Sequence, residues 1–174
     1  MTEILVIRHT QAEGNLYRVF QGWWNGRVTK EGRKQIDALA ERMREEKLDA
    51  VYSSDLDRAY ETALGAARFH PEITVQKVPG LREINPGIWE AMPMGELIKK
   101  YPVEFQEFIT YKEDWHVKGA ETFAELKDRV VSAVTELAKK HDGQRIAIVS
   151  HGVTIRCLIA ACQKKSMSEA LGLF

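Results

Sequence analysis

Two histidines of this 174-residue sequence each stand at the end of an apolar run. His9 follows Arg8 after the run 4–7, and His151 follows the run 146–150. A neutral imidazole can attack phosphorus, and the planar guanidinium of an arginine matches the oxygens of a phosphate group. This combination of residue types predicts an anionic substrate, and phosphoryl transfer is the chemistry that it suits best.

Two more charged residues follow predicted strands. Arg58 lies about one helical turn beyond a strand at 50–53, and Glu83 lies just beyond a strand at 73–78. A carboxylic acid can protonate a leaving alkoxide and then, as a carboxylate, activate a water molecule. Two histidines, two arginines and one glutamate together predict phosphoryl transfer through a phosphohistidine. The catalytic candidates are Arg8, His9, Arg58, Glu83 and His151.

The order of the predicted elements explains how residues so far apart in the sequence can meet. Strands are predicted at 4–7, 50–53, 73–78 and 146–150, and helices at 30–46, 55–69, 121–141 and 153–162, with one or two short helices between 94 and 112. Short runs rich in Ile and Val are typical of strands buried on both faces of a parallel sheet. Ligands of such sheets bind outside the carboxyl ends of the strands. The alternation therefore predicts an α/β layered domain with its site at that edge.

Helix caps and one long loop refine this prediction. Thr29 is expected to cap the first long helix, and either Ser54 or Asp55 is expected to cap the next. The loop 10–28 between the first strand and the first long helix is unusually long, which favours a functional role for it.

Composition limits the classes of partner. The chain carries 25 basic and 25 acidic residues, so it has no overall field that would attract nucleic acid or an acidic membrane surface. Its length and its hydrophobic content of 44% predict one domain over residues 1–174. Cys157 and Cys162 show neither metal-ligand nor disulfide spacing, and no leader or membrane-spanning segment is recognisable. We therefore expect a cytoplasmic protein.

Four motifs resemble, in order and spacing, those of the histidine phosphatase superfamily in its phosphoglycerate-mutase-like branch. The motifs are LVIRHTQAEGN, VYSSDLDRAYETA, LREINPGIWE and VSHG, and the similarity extends over nearly the whole chain. The resemblance implies a three-layer α/β/α sandwich with a mostly parallel central sheet. It also implies a phosphomonoester phosphatase that needs no metal or other cofactor and acts on a small phosphorylated metabolite.

The resemblance assigns roles to individual residues. His9 would be the phosphorylated nucleophile, and Glu83 would be the proton donor. Arg8, Arg58 and His151 would form the phosphate pocket around the nucleophile. Further contacts with the substrate would come from Asn15, Gln21, Gly22 and Gly152.

Two departures from the family pattern bear on specificity and on the fold. The segment after Thr10 reads QAEGN, which changes one wall of the substrate pocket while it keeps Asn15. The physiological ester therefore does not transfer from a relative. The sequence also ends at Phe174, where the family usually continues into at least one further strand. We expect either a sheet without that edge strand or an incomplete sequence.

Three functions stay open on the sequence: a phosphatase, a phosphoglycerate mutase and a non-catalytic phosphate-binding module. The mutases usually have a long insertion that closes the site against water, whereas Glu83 and Gly119 are only 36 positions apart (119 − 83). The presence of all five catalytic candidates argues against a binding module. Two arginines beside the histidines argue against a zinc ion. The preferred prediction is a phosphatase that is a monomer or a homodimer.

Overall fold

The computed structural model describes residues 1–169 and places four strands in one parallel sheet of order β1-β4-β2-β3. The strands are β1 (Glu3–Arg8), β2 (Ala50–Ser53), β3 (Gln76–Lys77) and β4 (Arg145–Ser150). In the register, Arg8 pairs with Ser150, and Ser53 pairs with Val149. The carboxyl ends of these three strands therefore lie side by side, and the polar residues that follow them share one edge of the sheet.

Seven α-helices surround this sheet in the described part of the chain. They are α1 (Glu13–Leu16), α2 (Lys30–Met43), α3 (Asp57–Ala66), α4 (Met94–Lys100), α5 (Pro102–Ile109), α6 (Phe123–Lys140) and α7 (Gly152–Cys162). Helix α5 begins at Pro102, directly after α4, because proline is favourable in the first turn of a helix. None of the helices within residues 1–169 is long and apolar enough to cross a membrane.

The side chains of β4 alternate between two hydrophobic clusters, one on each face of the sheet. Ile146 and Ile148 face a large cluster that includes residues of α6 and α7. Ala147 and Val149 face a smaller cluster built on α2 and α3, whose alanines let α3 approach the sheet closely. Helices therefore cover both faces, and the prediction of a layered α/β fold with a parallel sheet is confirmed.

The first strand differs from its prediction. We expected β1 to be buried on both faces, but it lies at one edge of the sheet and each of its residues is exposed or only partly buried. Val6 is 38% exposed, because within residues 1–169 no strand pairs with the outer side of β1 and no helix covers this position fully. The sequence end at Phe174, on which the expectation of a missing edge strand rests, lies outside the described residues.

The start of α3 is also corrected by the structure. Neither Ser54 nor Asp55 caps the helix: its N-cap is Leu56, which has no side chain able to accept a hydrogen bond. Asn25 supplies the cap from the long loop instead, since its Oδ1 accepts the Asp57 N–H at 2.9 Å. Asp55 pairs with Arg82 at 2.7 Å. This cap ties the loop to the helix that carries Arg58, whereas Thr29 caps α2 as predicted.

An aromatic cluster anchors the segment between β3 and α6. Trp89 and Trp115 are fully buried, with ring centroids 5.3 Å apart, and Phe108 of α5 lies 4.9 Å from Trp115. Tyr111 packs at the margin of this cluster, 5.5 Å from Phe123. The cluster fixes the polypeptide that follows Glu83, which helps to hold the site in place.

Candidate active site

The two sequence-predicted histidines meet at the carboxyl edge of the sheet. His9 follows β1 and His151 follows β4, and their ring centroids are 5.1 Å apart. The backbone N–H of His9 donates to the Ser150 carbonyl at 2.9 Å, which continues the β1–β4 pairing by one residue. Strand pairing therefore sets the distance between the two imidazoles.

The hydrogen bonding of His9 leaves one ring nitrogen available as a nucleophile. Nδ1 lies 2.7 Å from the Thr10 carbonyl, and because a carbonyl can only accept, Nδ1 carries the proton. The lone pair of the neutral ring is then on Nε2. Burial, followed by the positive charge of Arg58 and a smaller effect of Arg8, lowers the pKa of His9 to about 3, despite the opposing Thr10 hydrogen bond. The ring is neutral near pH 7.

His151 is held differently. Its side chain is fully buried, and neither ring nitrogen has a hydrogen-bond partner among residues 1–169. Burial lowers its pKa well below the usual value, and the charges of Arg58, the neighbouring His9, Arg129 and Arg8 act in the same direction. A neutral ring with an unused N–H can donate to an oxygen atom placed between the two histidines.

Arg58 brings a permanent positive charge into the interior. It lies in the first turn of α3 and is 1% exposed, and its two terminal nitrogens donate to the carbonyls of Gly22 at 2.7 Å and Trp24 at 3.1 Å. Burial lowers its pKa to about 10, against the favourable charges of Glu83 and Glu90, so it stays cationic at neutral pH. Its Nε has no hydrogen-bond partner in the part of the chain that the structure describes.

Arg8 supplies a second cation at the mouth of the site. It is exposed and donates no hydrogen bond within residues 1–169. Its guanidinium lies against the start of α7. A Cβ atom added at Gly152 would be only 3.4 Å from Arg8 Nη2. Glycine at this position lets the arginine lie against the helix terminus, whose partial positive charge favours anions.

Glu83 is buried against the same helix terminus. Its Oε1 accepts from the backbone N–H of Ile84 at 3.0 Å, and from both the N–H and the hydroxyl of Thr154 at 3.1 and 3.0 Å. Its Oε2 accepts one bond, from the Val153 N–H at 3.2 Å. The more lightly bonded Oε2 is thus the oxygen better able to exchange a proton with a substrate.

Three sequence-predicted residues contain buried polar atoms that have no hydrogen-bond partner within the described residues 1–169: Gln21, Arg58 and His151. Buried polar groups are nearly always hydrogen-bonded, so a cluster of unpaired ones needs an explanation. Arg58 is bonded to Gly22, the neighbour of Gln21, and its charge acts on His151. A bound phosphate would supply acceptor oxygens to Arg58 Nε and to the ring N–H of His151.

The remaining candidate residues surround this cluster. Asn15 lies with Arg8 and His9 in a cleft of about 230 Å³, and its Oδ1 accepts the Ala12 N–H at 2.9 Å, which leaves its amide nitrogen available. Gly22 donates its N–H to Glu90, and its carbonyl oxygen accepts a hydrogen bond from Arg58. In the structure, Gly22 therefore helps to position Arg58. Direct contact of Gly22 with substrate stays a prediction.

Sequence reasoning missed two supporting residues. Glu90 accepts the N–H groups of Gly22 at 2.9 Å and Trp23 at 2.6 Å, and so holds the loop whose carbonyls hold Arg58. Arg129 on α6 pairs with Glu121 at 2.7 Å and donates to the Glu83 carbonyl at 3.3 Å. Glu90 follows a tryptophan within a recognised motif, which was a usable signal. Arg129 lies 46 residues from Glu83 in the sequence, and no motif or spacing identifies it as a partner of Glu83.

The described residues contain no group of three or more His, Cys, Asp or Glu side chains that could hold a metal ion. The two histidines face two arginines instead, and the local charge is suited to an anion.

Comparison with known proteins agrees with this geometry. The family model of the histidine phosphatase superfamily (branch 1) matches residues 4–173. Phosphoserine phosphatase 1 of Hydrogenobacter thermophilus is 32% identical over 97% of this chain and 80% of its own length. The metal-independent phosphoserine phosphatase of Arabidopsis thaliana is 37% identical over 98% of this chain and 73% of its own length. Among solved structures, YhfR of Bacillus stearothermophilus superposes with a TM-score of 0.94 at 28% identity, covering 99% of this chain and 85% of its own.

The lowered pKa of His9 makes a prediction about stability. Between its usual value of 6.5 and its folded value of about 3, the folded state binds fewer protons than the unfolded state, so the free energy of unfolding falls as the pH is lowered through this range. Because of His9, the free energy of unfolding at pH 5 should be about 2 kcal/mol lower than at pH 7.5. Urea denaturation at the two pH values should show that His9→Gln abolishes this part of the loss. The exposed His116→Gln should leave it unchanged, and an unaltered loss in His9→Gln would contradict the assignment.

The role of Glu90 makes a second prediction. Glu90→Ala removes both hydrogen bonds to the loop at 22–24, so Arg58 should lose its fixed position and inorganic phosphate should bind roughly 10- to 100-fold more weakly. Glu90→Gln retains one acceptor oxygen and should show an intermediate loss. Isothermal titration with phosphate measures both, with the exposed Glu96→Ala on α4 as the control. Equal affinity in Glu90→Ala and Glu96→Ala would refute the positioning role.

Proposed function

The chain belongs to branch 1 of the histidine phosphatase superfamily, and from this premise we propose that it hydrolyses a small phosphomonoester through a phosphohistidine, without a metal or cofactor. The observation that supports the proposal most strongly is the free Nε2 of a neutral His9 beside a buried, only partly satisfied Arg58. Two relatives are named phosphoserine phosphatases, so phosphoserine is the first substrate to test.

In the first step, the lone pair on His9 Nε2 attacks phosphorus and the bond from phosphorus to the ester oxygen breaks. Arg8, Arg58 and His151 stabilise the charge on the non-reacting oxygens. Glu83, in its acid form, gives its proton to the leaving oxygen, so the alcohol departs neutral. The step ends with a phosphohistidine and a Glu83 carboxylate.

In the second step, a water molecule attacks the phosphohistidine from the side that the alcohol has left. The Glu83 carboxylate takes a proton from the water as the new oxygen–phosphorus bond forms and the bond from phosphorus to His9 breaks. Inorganic phosphate leaves, and His9 and the acid form of Glu83 are restored. One carboxyl group therefore serves as acid and then as base.

Hydrolysis is favoured over transfer to a second hydroxyl group because the site is open. Arg8 is exposed and lines both the cleft beside His9 and a second cleft of about 340 Å³ that contains Glu83. The segment after Glu83 packs into the core through Leu97 and Phe108. A mutase must retain its intermediate away from water, and this arrangement supports the phosphatase.

We further propose that residues 1–174 form one cytoplasmic domain, monomeric or homodimeric. The family match over residues 4–173 supports a single domain. The free thiols of Cys157 and Cys162 support a reducing compartment.

A substitution at Glu83 tests the mechanism. Glu83→Gln keeps the shape and cannot transfer a proton, so hydrolysis of phosphoserine, with its poor alkoxide leaving group, should fall by roughly 100- to 10,000-fold in kcat/KM. Hydrolysis of p-nitrophenyl phosphate, whose leaving group needs little protonation, should fall much less. Equal losses on both esters would contradict the acid role, and the exposed Glu96→Gln is the control.

The same assays separate the candidate functions. The wild-type protein should release phosphate from p-nitrophenyl phosphate, should not isomerise 3-phosphoglycerate and should keep its rate in EDTA. Isomerisation as the dominant reaction would identify a mutase. Binding of phosphate without turnover of any ester would identify a binding module.

A further inference from the structure

The backbone that follows His9 decides which of its ring nitrogens is free to react. His9 Nδ1 lies 2.7 Å from the carbonyl of Thr10, which belongs to the peptide unit that joins Thr10 to Gln11. In a neutral histidine, the hydrogen bond made by one ring nitrogen sets the tautomer. If this peptide unit turned away, the proton would no longer be held on Nδ1, and the lone pair would no longer be held on Nε2.

Gln35 holds the other side of the same peptide unit. The Gln11 N–H donates to Gln35 Oε1 at 2.8 Å. Because a peptide unit is planar and trans, its N–H and its carbonyl point in opposite directions. The bond that fixes the Gln11 N–H therefore also fixes the Thr10 carbonyl. Gln35 lies in the second turn of α2 and lines the cleft beside His9.

Thr62 holds the backbone one peptide unit earlier. It is fully buried on α3, one helical turn after Arg58, and its hydroxyl donates to the Arg58 carbonyl at 2.6 Å. Since a hydroxyl has only one hydrogen, the Thr62 oxygen acts as the acceptor towards Thr10. It accepts from the Thr10 N–H at 3.1 Å and from the Thr10 hydroxyl at 3.2 Å. One side chain thus joins the helix that carries Arg58 to the residue that orients His9.

The two supports differ in strength because they differ in exposure. Thr62 is excluded from solvent, so no water molecule would replace its oxygen as an acceptor if the hydroxyl were removed. Hydrogen bonds in the interior are also stronger electrostatically than those in water. Gln35 is exposed, so water can take over part of its role. We therefore expect the loss of Thr62 to have the larger effect.

We propose that Thr62 and Gln35 are positioning residues that hold the backbone of Thr10 and Gln11 and so keep the proton of His9 on Nδ1 and the lone pair on Nε2. Both act on His9 through this backbone. The inference rests on the proposed phosphatase activity, since it names two residues that prepare the nucleophile of that reaction.

The tautomer of His9 can be measured by NMR without any turnover. Long-range proton–nitrogen correlation spectra distinguish protonated from unprotonated ring nitrogens, and the spectrum of His9→Gln identifies the His9 signals. Near neutral pH, the wild-type protein should show a protonated Nδ1 and an unprotonated Nε2. Thr62→Val keeps the shape and removes the hydroxyl, so its two signals should move towards each other, as a mixture of tautomers requires. Thr62→Ser restores the hydroxyl and should restore the wild-type signals.

The same variants should slow the attack on phosphorus. In a single turnover of p-nitrophenyl phosphate, Thr62→Val should release p-nitrophenol roughly 10- to 100-fold more slowly, because a misplaced nucleophile reacts poorly. Gln35→Met should be roughly 3- to 10-fold slower, and Thr62→Ser should stay within about threefold of the wild-type rate. The affinity for inorganic phosphate should stay near the wild-type value in all three, since the arginines are retained.

Thr110→Val is the matched control. Like Thr62, Thr110 donates its hydroxyl to the carbonyl four residues earlier, at 2.8 Å, but it lies exposed at the end of α5. Its replacement should leave both the single-turnover rate and the His9 signals at their wild-type values. Urea denaturation of every variant shows whether a loss of rate reflects loss of the folded state.

The outcomes separate this inference from the proposed function. Wild-type His9 signals in Thr62→Val or in Gln35→Met would refute the role of the residue replaced, even if the rate fell. If Thr62→Val does not fold, the exposed Gln35→Met decides the inference. A wild-type proton on Nε2 would overturn it for both residues. If the tautomers respond as expected but the wild-type protein hydrolyses no ester, the positioning role stands and the proposed function is refuted.

Discussion

The structure depends on one costly arrangement, the burial of the Arg58 guanidinium without direct contact with any carboxylate of residues 1–169. Two carbonyls, from Gly22 and Trp24, hold it, and Glu90 holds the loop that supplies them. Moving a cation out of water is unfavourable unless other groups replace its hydration. Here the replacement is incomplete, since Nε has no partner, and the missing part is what an anionic substrate provides.

This buried charge accounts for the state of the two histidines. Desolvation and the nearby Arg58 keep His9 and His151 neutral, so one ring offers a lone pair and the other can offer a hydrogen. Phosphate binding would then relieve two conditions together: the unbalanced cation of Arg58 and the unpaired imidazole of His151. The groups are already in place before the substrate arrives, which is the basis of electrostatic catalysis. The rigid sheet on which they stand limits their movement.

The sequence predicted those parts of the molecule in which local pattern and tertiary packing agree. Ala50–Ser53 was predicted with the observed bounds, and Thr29 was predicted as a cap, because short apolar runs and hydroxyl caps act locally. The prediction that β1 is buried on both faces was wrong, since the apolar run 4–7 does not reveal that its strand lies at a sheet edge. The cap of α3 was wrong because Asn25 reaches the helix from 32 residues away. The same limit hid Arg129, which meets the Glu83 carbonyl only in the folded chain.

The central claim is that His9 carries the phosphoryl group between the ester and water. Rapid acid-free quenching with ³²P-labelled phosphoserine or p-nitrophenyl phosphate, followed by peptide mapping, tests it most directly. We predict a label on His9 that survives alkali and is lost in acid, that forms during turnover, and that is missing in His9→Ala. Turnover by the wild-type protein without any protein-bound label, or with the label on His151 or a carboxyl group, would contradict the account.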